Sequence, residues 1–306
     1  MNKIFSLLLT TMFISAYPGM PENIPPEALK KMPPEMMERF MSGMGDDDEF
    51  ETLADFFADN EIETSEGFLT LHRNVEDDEY FLELTEEDLD KEFIYFAYLL
   101  NAPQAAGVRG GAIGQGAILE FRRFKDGLAL YKKNTYFSNE TDNNIGKADL
   151  TNIVEAFLEN FSIVVEDEGK IIISVDDLFK SETLTNVSPN LPPEYRDFVA
   201  LNLGRLDSSK TFVNQVRNYP KNTAVEVVFG FSNSNPNQRR AVYAVADARY
   251  TSISGRHLFV EMPDDGFEPR IADQRVGYFS QRVTDMSTYD NYPQRDLINK
   301  WRLVKK

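Results

Sequence analysis

Histidine, arginine and aspartate crowd into one stretch of this chain, His257 to Phe279 (HLFVEMPDDGFEPRIADQRVGYF), the mixture an active-site approach would contain. Ligand counting argues against metal chemistry there. A zinc site needs three or four N, O or S ligands, and a helical HExxH would set two histidines on one face. Only His72 and His257 exist, far apart and both in strand-like runs, so each reads as a structural histidine at a strand surface. Cysteine is absent, which removes thiolate sites, disulfides and thiol nucleophiles. A serine nucleophile elbow needs GxSxG; Gly230, Ser232 and Ser234 lack the closing glycine. The Gly-rich run Ala105 to Gly116 lacks the GxxxxGK[ST] pattern and precedes a strand, so it reads as a turned surface loop. Arg109 within it is placed to meet a carboxylate of a partner domain. With 50 Asp and Glu, some pair at glycosidase spacing is expected by chance. Asp142, Asn143 and Asn144 before Gly146 lack the distal Glu of a calcium loop and read as a solvated turn. No residue is therefore assigned a catalytic, cofactor or metal role. The candidate structural or interface residues are Arg109 and the trio Arg270, Asp273 and Arg275, which are expected to pair and fix the turn feeding the last strands.

The elements that must position these residues follow from composition and pattern. At 306 residues the chain can bury a large core without staples. A net charge of −18 excludes nucleic acid as partner, because affinity for phosphate backbones is built from clustered Lys and Arg. Residues 1–16 (MNKIFSLLLTTMFISA) have the basic start, short apolar run and small-residue end of a secretory signal peptide, too short to span a bilayer. The chain is expected to be exported, periplasmic or extracellular. Residues 17–50 are rich in Pro, Met and charge and read as a tether. Thioether sulfur suits Cu(I), but the methionines follow no regular array. The body is 51–306, with two lobes meeting near 186–203.

Within it, Phe50, Leu53, Phe56 and Phe57 fall at helical spacing behind an acidic run. Short alternating runs then predict strands: Phe68 to Arg73, Glu79 to Leu84, a central aromatic strand over Glu92 to Leu100, and the hairpin Ala117 to Phe124 with Leu128 to Lys133. A short helix is expected over Leu150 to Leu158, a hairpin over Ser162 to Ser174, one helical turn at VDDLF and a helix from Pro193. Longer strands follow at Val213 to Asn218, Ala224 to Phe231, Ala241 to Ala248, Arg256 to Met262 and Gly277 to Arg282, with a last one at Lys300 to Lys305. Strands succeed strands, so the expected fold is mainly β: antiparallel sheets packed as a sandwich or barrel-like body, with a few short helices.

Several segments, taken in order, resemble the N-terminal region of a bacterial family of exported zinc-dependent metalloproteases, a region made of domains of unknown function. They are GFLTLHR, EYFLEL, KEFIYF, AGVRGG, AILEFRRFKDGLALYKKN, IIISVDDLF, the stretch HLFVEMPDDGFEPRIADQRVGYFS and the terminal KWRLVKK. The resemblance implies a catalytic domain in cis carrying HExxHxxGxxH, a motif this sequence does not contain. It therefore implies a non-catalytic scaffold, truncated before that domain, with zinc belonging to the missing half and that half, or a protein or peptide, as partner. The alternatives are a stand-alone secreted β-sandwich binding a protein or glycan and, more remotely, a carboxylate hydrolase with two convergent acids in a deep pocket.

Overall fold

The computed structural model describes residues 50–59, 61–114, 116–138, 153–189, 199–236, 243–264, 266, 268–273, 275–287 and 290–300. The signal-peptide and tether readings, the helix from Pro193, the Asp142 turn and the strand at Lys300 to Lys305 lie outside these residues or nearly so. Residues 50–306 make one compact unit, distinct from 1–49.

The chain opens with helix α1 (Leu53–Asp59). Thr52 starts it: its Oγ1 accepts from the Asp55 N–H at 3.2 Å and donates to the Asp55 carboxylate at 2.6 Å, satisfying a donor that the first helical turn would otherwise leave unpaired. Then come β1 (Ile62–Ser65), β2 (Thr70–Asn74), β3 (Glu79–Thr85), β4 (Glu92–Asn101), β5 (Ala117–Phe124), β6 (Gly127–Lys132), β7 (Phe137–Ser138), β8 (Ala156–Phe161), β9 (Ile163–Asp167) and β10 (Lys170–Ser174). Helix α2 (Asp176–Lys180) is followed by β11 (Arg205–Leu206), β12 (Phe212–Tyr219), β13 (Asn222–Ser232), β14 (Tyr250–Glu261), β15 (Ser280–Asp285) and β16 (Gln294–Ile298).

The strands form three sheets, ordered β1-β2-β3-β10-β9, β11-β13-β14-β4-β5-β6-β8 with β12 also on β13, and β16-β15-β7. The pairings are antiparallel except β15 with β7. None of the sheets closes into a barrel, and the two larger ones pack face to face as a sandwich. Period-2 alternation builds the core between them. Val225, Val227, Phe229 and Phe231 of β13 are buried toward it, as their spacing predicts, together with Leu71 and Leu82 of the smaller sheet. In β10 all three isoleucines are buried, yet they serve two layers: Ile171 and Ile173 join this core, while Ile172 turns to the opposite face and packs in a second cluster with Leu53, Phe56, Phe81 and Val165. Helix α1 thus roofs the outer face of the smaller sheet.

Two local expectations are corrected. The segment Leu150 to Leu158 is not a helix in its described part: β8 runs from Ala156, where Phe157 meets Phe124 and Tyr131 edge-on at ring-centroid distances of 5.1 and 5.4 Å. Cross-strand packing overrides the local propensity there. Residues 243–249 form turns and no strand. Both edges of β13 are already taken, by β14 along its whole length on one side and by β11 and β12 on the other, so Tyr243 to Ala248, the described part of the expected strand, finds no place beside it. The strand β4 is central, as expected: Phe93, Tyr95 and Ala97 are buried, and Ile94, Phe96 and Tyr98 on its other face are half-covered.

Candidate functional site

The side chains singled out by the sequence fall in four places among the described residues. His257 sits on β14 opposite Val225 and Ala97, fully buried rather than at a strand surface. Its Nε2 lies 3.2 Å from the Phe179 carbonyl of α2, which can only accept, so Nε2 carries the proton. Nδ1 then accepts from the Tyr95 hydroxyl at 2.8 Å. Burial holds the imidazole down at about pKa 4 against the pull of that carbonyl, and burial likewise pushes the Tyr95 phenol far up. The neutral ring is a pin that joins the larger sheet to α2, stacked between Tyr95 and Phe179.

His72 makes the second place. Thr64 and His72 are register partners on β1 and β2. The Val75 N–H donates to the Glu61 carbonyl, so by alternation this pair is a non-hydrogen-bonded one, whose side chains stand close. Thr64 Oγ1 is 2.8 Å from His72 Nδ1, His72 Nε2 is 3.1 Å from Glu83, and Lys170 Nζ is 3.0 Å from the other Glu83 oxygen. Burial lowers the His72 pKa despite the Glu83 carboxylate. A carboxylate, an imidazole and a hydroxyl thus lie in line beside a cleft of about 750 Å³. Glu83 divides its charge between His72 and Lys170, and the line acts as a polar brace across β1, β2, β3 and β10. Of the two acids lining this cleft, Glu66 and Glu83, the second is committed to that brace, so no free acid pair converges here.

The Gly-rich loop is the third. It folds back along the half of β4 that β5 leaves uncovered: the Gly111 and Gly114 N–H groups donate to the Leu99 and Ala97 carbonyls at 2.7 and 2.8 Å, and Leu99 N–H donates to Ala112 at 2.9 Å. Glycine is required because Gly111 has φ +79° and a Cβ at Gly110 would stand 2.9 Å from the Leu100 carbonyl oxygen. The loop forms one wall of a cleft of about 320 Å³ whose other walls include Thr185, Pro189 and Phe229 and whose lining holds no carboxylate. Arg109 is exposed at the loop's tip and makes no ion pair among the described residues.

The fourth place is the stretch around Arg270, Asp273 and Arg275. Asp273 and Arg275 pair, with Nη2 to Oδ2 at 2.5 Å and Nε to Oδ1 at 2.9 Å, and the Arg275 N–H also donates to Oδ1 at 3.0 Å. The Arg275 guanidinium holds the Asp273 carboxyl down at about 2. Arg270 makes no hydrogen bond to this pair but its charge also lowers the Asp273 carboxyl; its guanidinium lies 6.0 Å from the Tyr278 ring centroid, and its carbonyl accepts from the Ile298 N–H at 2.9 Å. Ala272 N–H donates to Asp296 at 2.7 Å, so this main chain runs as a short edge along β16. The structure thus separates the trio into a local turn clasp and a main-chain edge. An ion pair this exposed is screened by water and contributes little. Asp273→Ala is accordingly expected to leave the melting temperature nearly unchanged; a fall of more than a few degrees in a thermal scan would assign the clasp a structural role.

Among the described residues no three His, Asp or Glu side chains group to hold a metal ion, and none of the helices is long and apolar enough to cross a membrane. His72 and His257 lie in different sheets, with both ring nitrogens of each engaged in hydrogen bonds.

The fold and these places define an antiparallel β-sandwich with polar braces and an appended small sheet. Residues 110–306 match the family described as a domain of unknown function, DUF5117, and the chain belongs to that family. No curated protein and no solved structure is significantly similar to it. The matched segment begins inside the Gly-rich loop, downstream of β1 to β4.

Proposed function

We propose that this chain is the non-catalytic, β-rich region of an exported zinc-dependent metalloprotease, a scaffold that packs against or restricts a catalytic domain carrying HExxHxxGxxH. The segments that resemble that protease family coincide with the elements that build the sandwich: GFLTLHR and EYFLEL supply β2 and β3, KEFIYF supplies β4, AILEFRRFKDGLALYKKN supplies β5 and β6, IIISVDDLF supplies β10 and α2, and HLFVEM supplies the end of β14. The observation that carries the reading is the commitment of all four histidine ring nitrogens to internal hydrogen bonds. Groups that could ligate a metal or move a proton serve packing instead. In this reading zinc belongs to the catalytic domain alone. The test is direct: the purified chain, incubated with zinc and desalted, should retain no stoichiometric metal and should cleave no casein, yet should change the cleavage rate of the catalytic domain when added to it. Stoichiometric zinc together with cleavage by the chain alone would sink the proposal.

A second reading, a secreted module that binds a protein or glycan, is favoured by the cleft that the Gly-rich loop walls and by the exposed Arg109 in that loop. Binding of the isolated chain to a peptide or glycan array, abolished by Arg109→Ala, would select it over the scaffold; an array blank for both chains removes it.

A further inference from the structure

We propose that the free edge of β1 and the cleft beside it bind an extended basic segment of another protein, which adds as a strand to β1 and lays a Lys or Arg side chain against Glu66. This holds whether the chain is a scaffold or a stand-alone module. β1 ends the smaller sheet: β2 pairs with one of its edges, and among the described residues no strand pairs with the other. The Val75 N–H donates to the Glu61 carbonyl, so by alternation Glu63 and Ser65 turn their main-chain groups toward β2 while Ile62 and Thr64 turn theirs outward. Such a row is a template for a further strand. A strand added there stands about 5 Å from β1 and sets every second side chain on the face of Thr64. That face opens into the cleft of about 750 Å³.

The chemistry of the cleft selects a cation. The Glu83 carboxylate accepts from His72 Nε2, so Nδ1 takes the Thr64 proton and the Thr64 oxygen keeps its lone pairs for another donor. Glu83 is already shared between His72 and Lys170, whereas Glu66 has no ion pair among the described residues. The lining, two acids against one base, therefore keeps one uncompensated negative charge. The exposed ring of Phe57 on α1 completes the wall with a surface that attracts cations. The turn carrying Glu66 is pinned in place: Asn218 Nδ2 donates to the Ser65 and Leu69 carbonyls at 2.7 and 2.6 Å, and a Cβ at Gly67 would collide with Asn218 Oδ1. Along the edge itself Glu61 and Glu63 are exposed acids, and Arg73, which pairs with Glu63, is also held by Asp78. A second copy, with its charge of −18, is repelled by this edge; a basic strand is drawn to it.

The test titrates the full chain, by calorimetry, with an acetylated and amidated heptapeptide bearing Lys at alternate positions. Binding should weaken about tenfold in Glu66→Gln, the loss of one charge pair, and stay unchanged in Glu168→Gln, at an exposed acid in the turn between β9 and β10. It should disappear when glutamate replaces the lysines of the peptide. It should also disappear when the peptide amides are N-methylated, which keeps the charge and removes the donors of the added strand. Equal melting temperatures of the three chains exclude unfolding as the cause. Binding undiminished by Glu66→Gln, or no binding by the unmodified chain, overturns the inference. Equal binding of the N-methylated peptide also overturns it, leaving the cleft as a site for an ammonium group alone. None of these outcomes bears on the scaffold reading, which the zinc and cleavage assays test separately.

Discussion

A chain beginning at Gly110, the first residue of the family match, is expected not to fold. The reason lies in the strand order. β4 is hydrogen-bonded to β14 on one side and to β5 on the other, so removing it cuts the larger sheet into two unconnected parts. The smaller sheet would lose β1, β2 and β3 and keep only the β9 and β10 pair. The sandwich core would lose Leu69, Leu71, Tyr80, Leu82, Leu84, Leu89, Phe93, Tyr95, Ala97 and Ala106. Burial of each large apolar side chain is worth about 1.5–3 kcal/mol, so the loss exceeds the roughly 5–15 kcal/mol by which a domain is stable at all. Residues 110–306 should therefore show no cooperative transition in urea by far-UV circular dichroism, whereas 50–306 should show one. A cooperative transition in the shorter chain would mean that the β14 and β5 edges find other partners. The physical domain of this family thus extends upstream of the matched segment to Phe50.

The second large effect is a loss of stability in mild acid, traced to His257. Its folded pKa of about 4 lies below the ordinary value of 6.5, so between these two values the unfolded chain binds a proton that the folded one refuses. The stabilisation is complete above about pH 6.5, declines as the pH falls toward 4, and then levels off. From pH 7 to pH 5 the decline amounts to about 2 kcal/mol. His72, also held down by burial, acts in the same direction. Urea titrations at pH 7 and pH 5 measure the difference. His257→Gln should reduce the difference while lowering stability at pH 7, because the Tyr95 hydroxyl and the Phe179 carbonyl lose their fitted partner. An identical pH difference in that variant would transfer the effect to other groups.

Much of this molecule was legible before any coordinates. Alternation over β13 identified its buried face, and the Lys125 to Gly127 turn identified the β5 and β6 hairpin, because both signals are local: side chains alternate every two residues, and a turn needs its own residue types. The pattern failed where a strand's fate depended on which edge was free. Ala241 to Ala248 has the composition of a strand, yet its described part, Tyr243 to Ala248, has no place beside β13, and the Phe157 segment became a strand because β6 offered Tyr131. The candidate site shows the same division. That two histidines and no cysteine are too few for an all-histidine or thiolate zinc centre followed from counting alone. That His257 is a buried pin and that Thr64, His72, Glu83 and Lys170 form one brace depended on strand register. Register brings together residues as far apart as 64 and 170 or 95 and 257, and no local spacing encodes that distance. Composition and alternation point to antiparallel sheets packed as a sandwich or barrel-like body; the pairing of distant strands decided for the open sandwich and for which polar groups are sealed inside it.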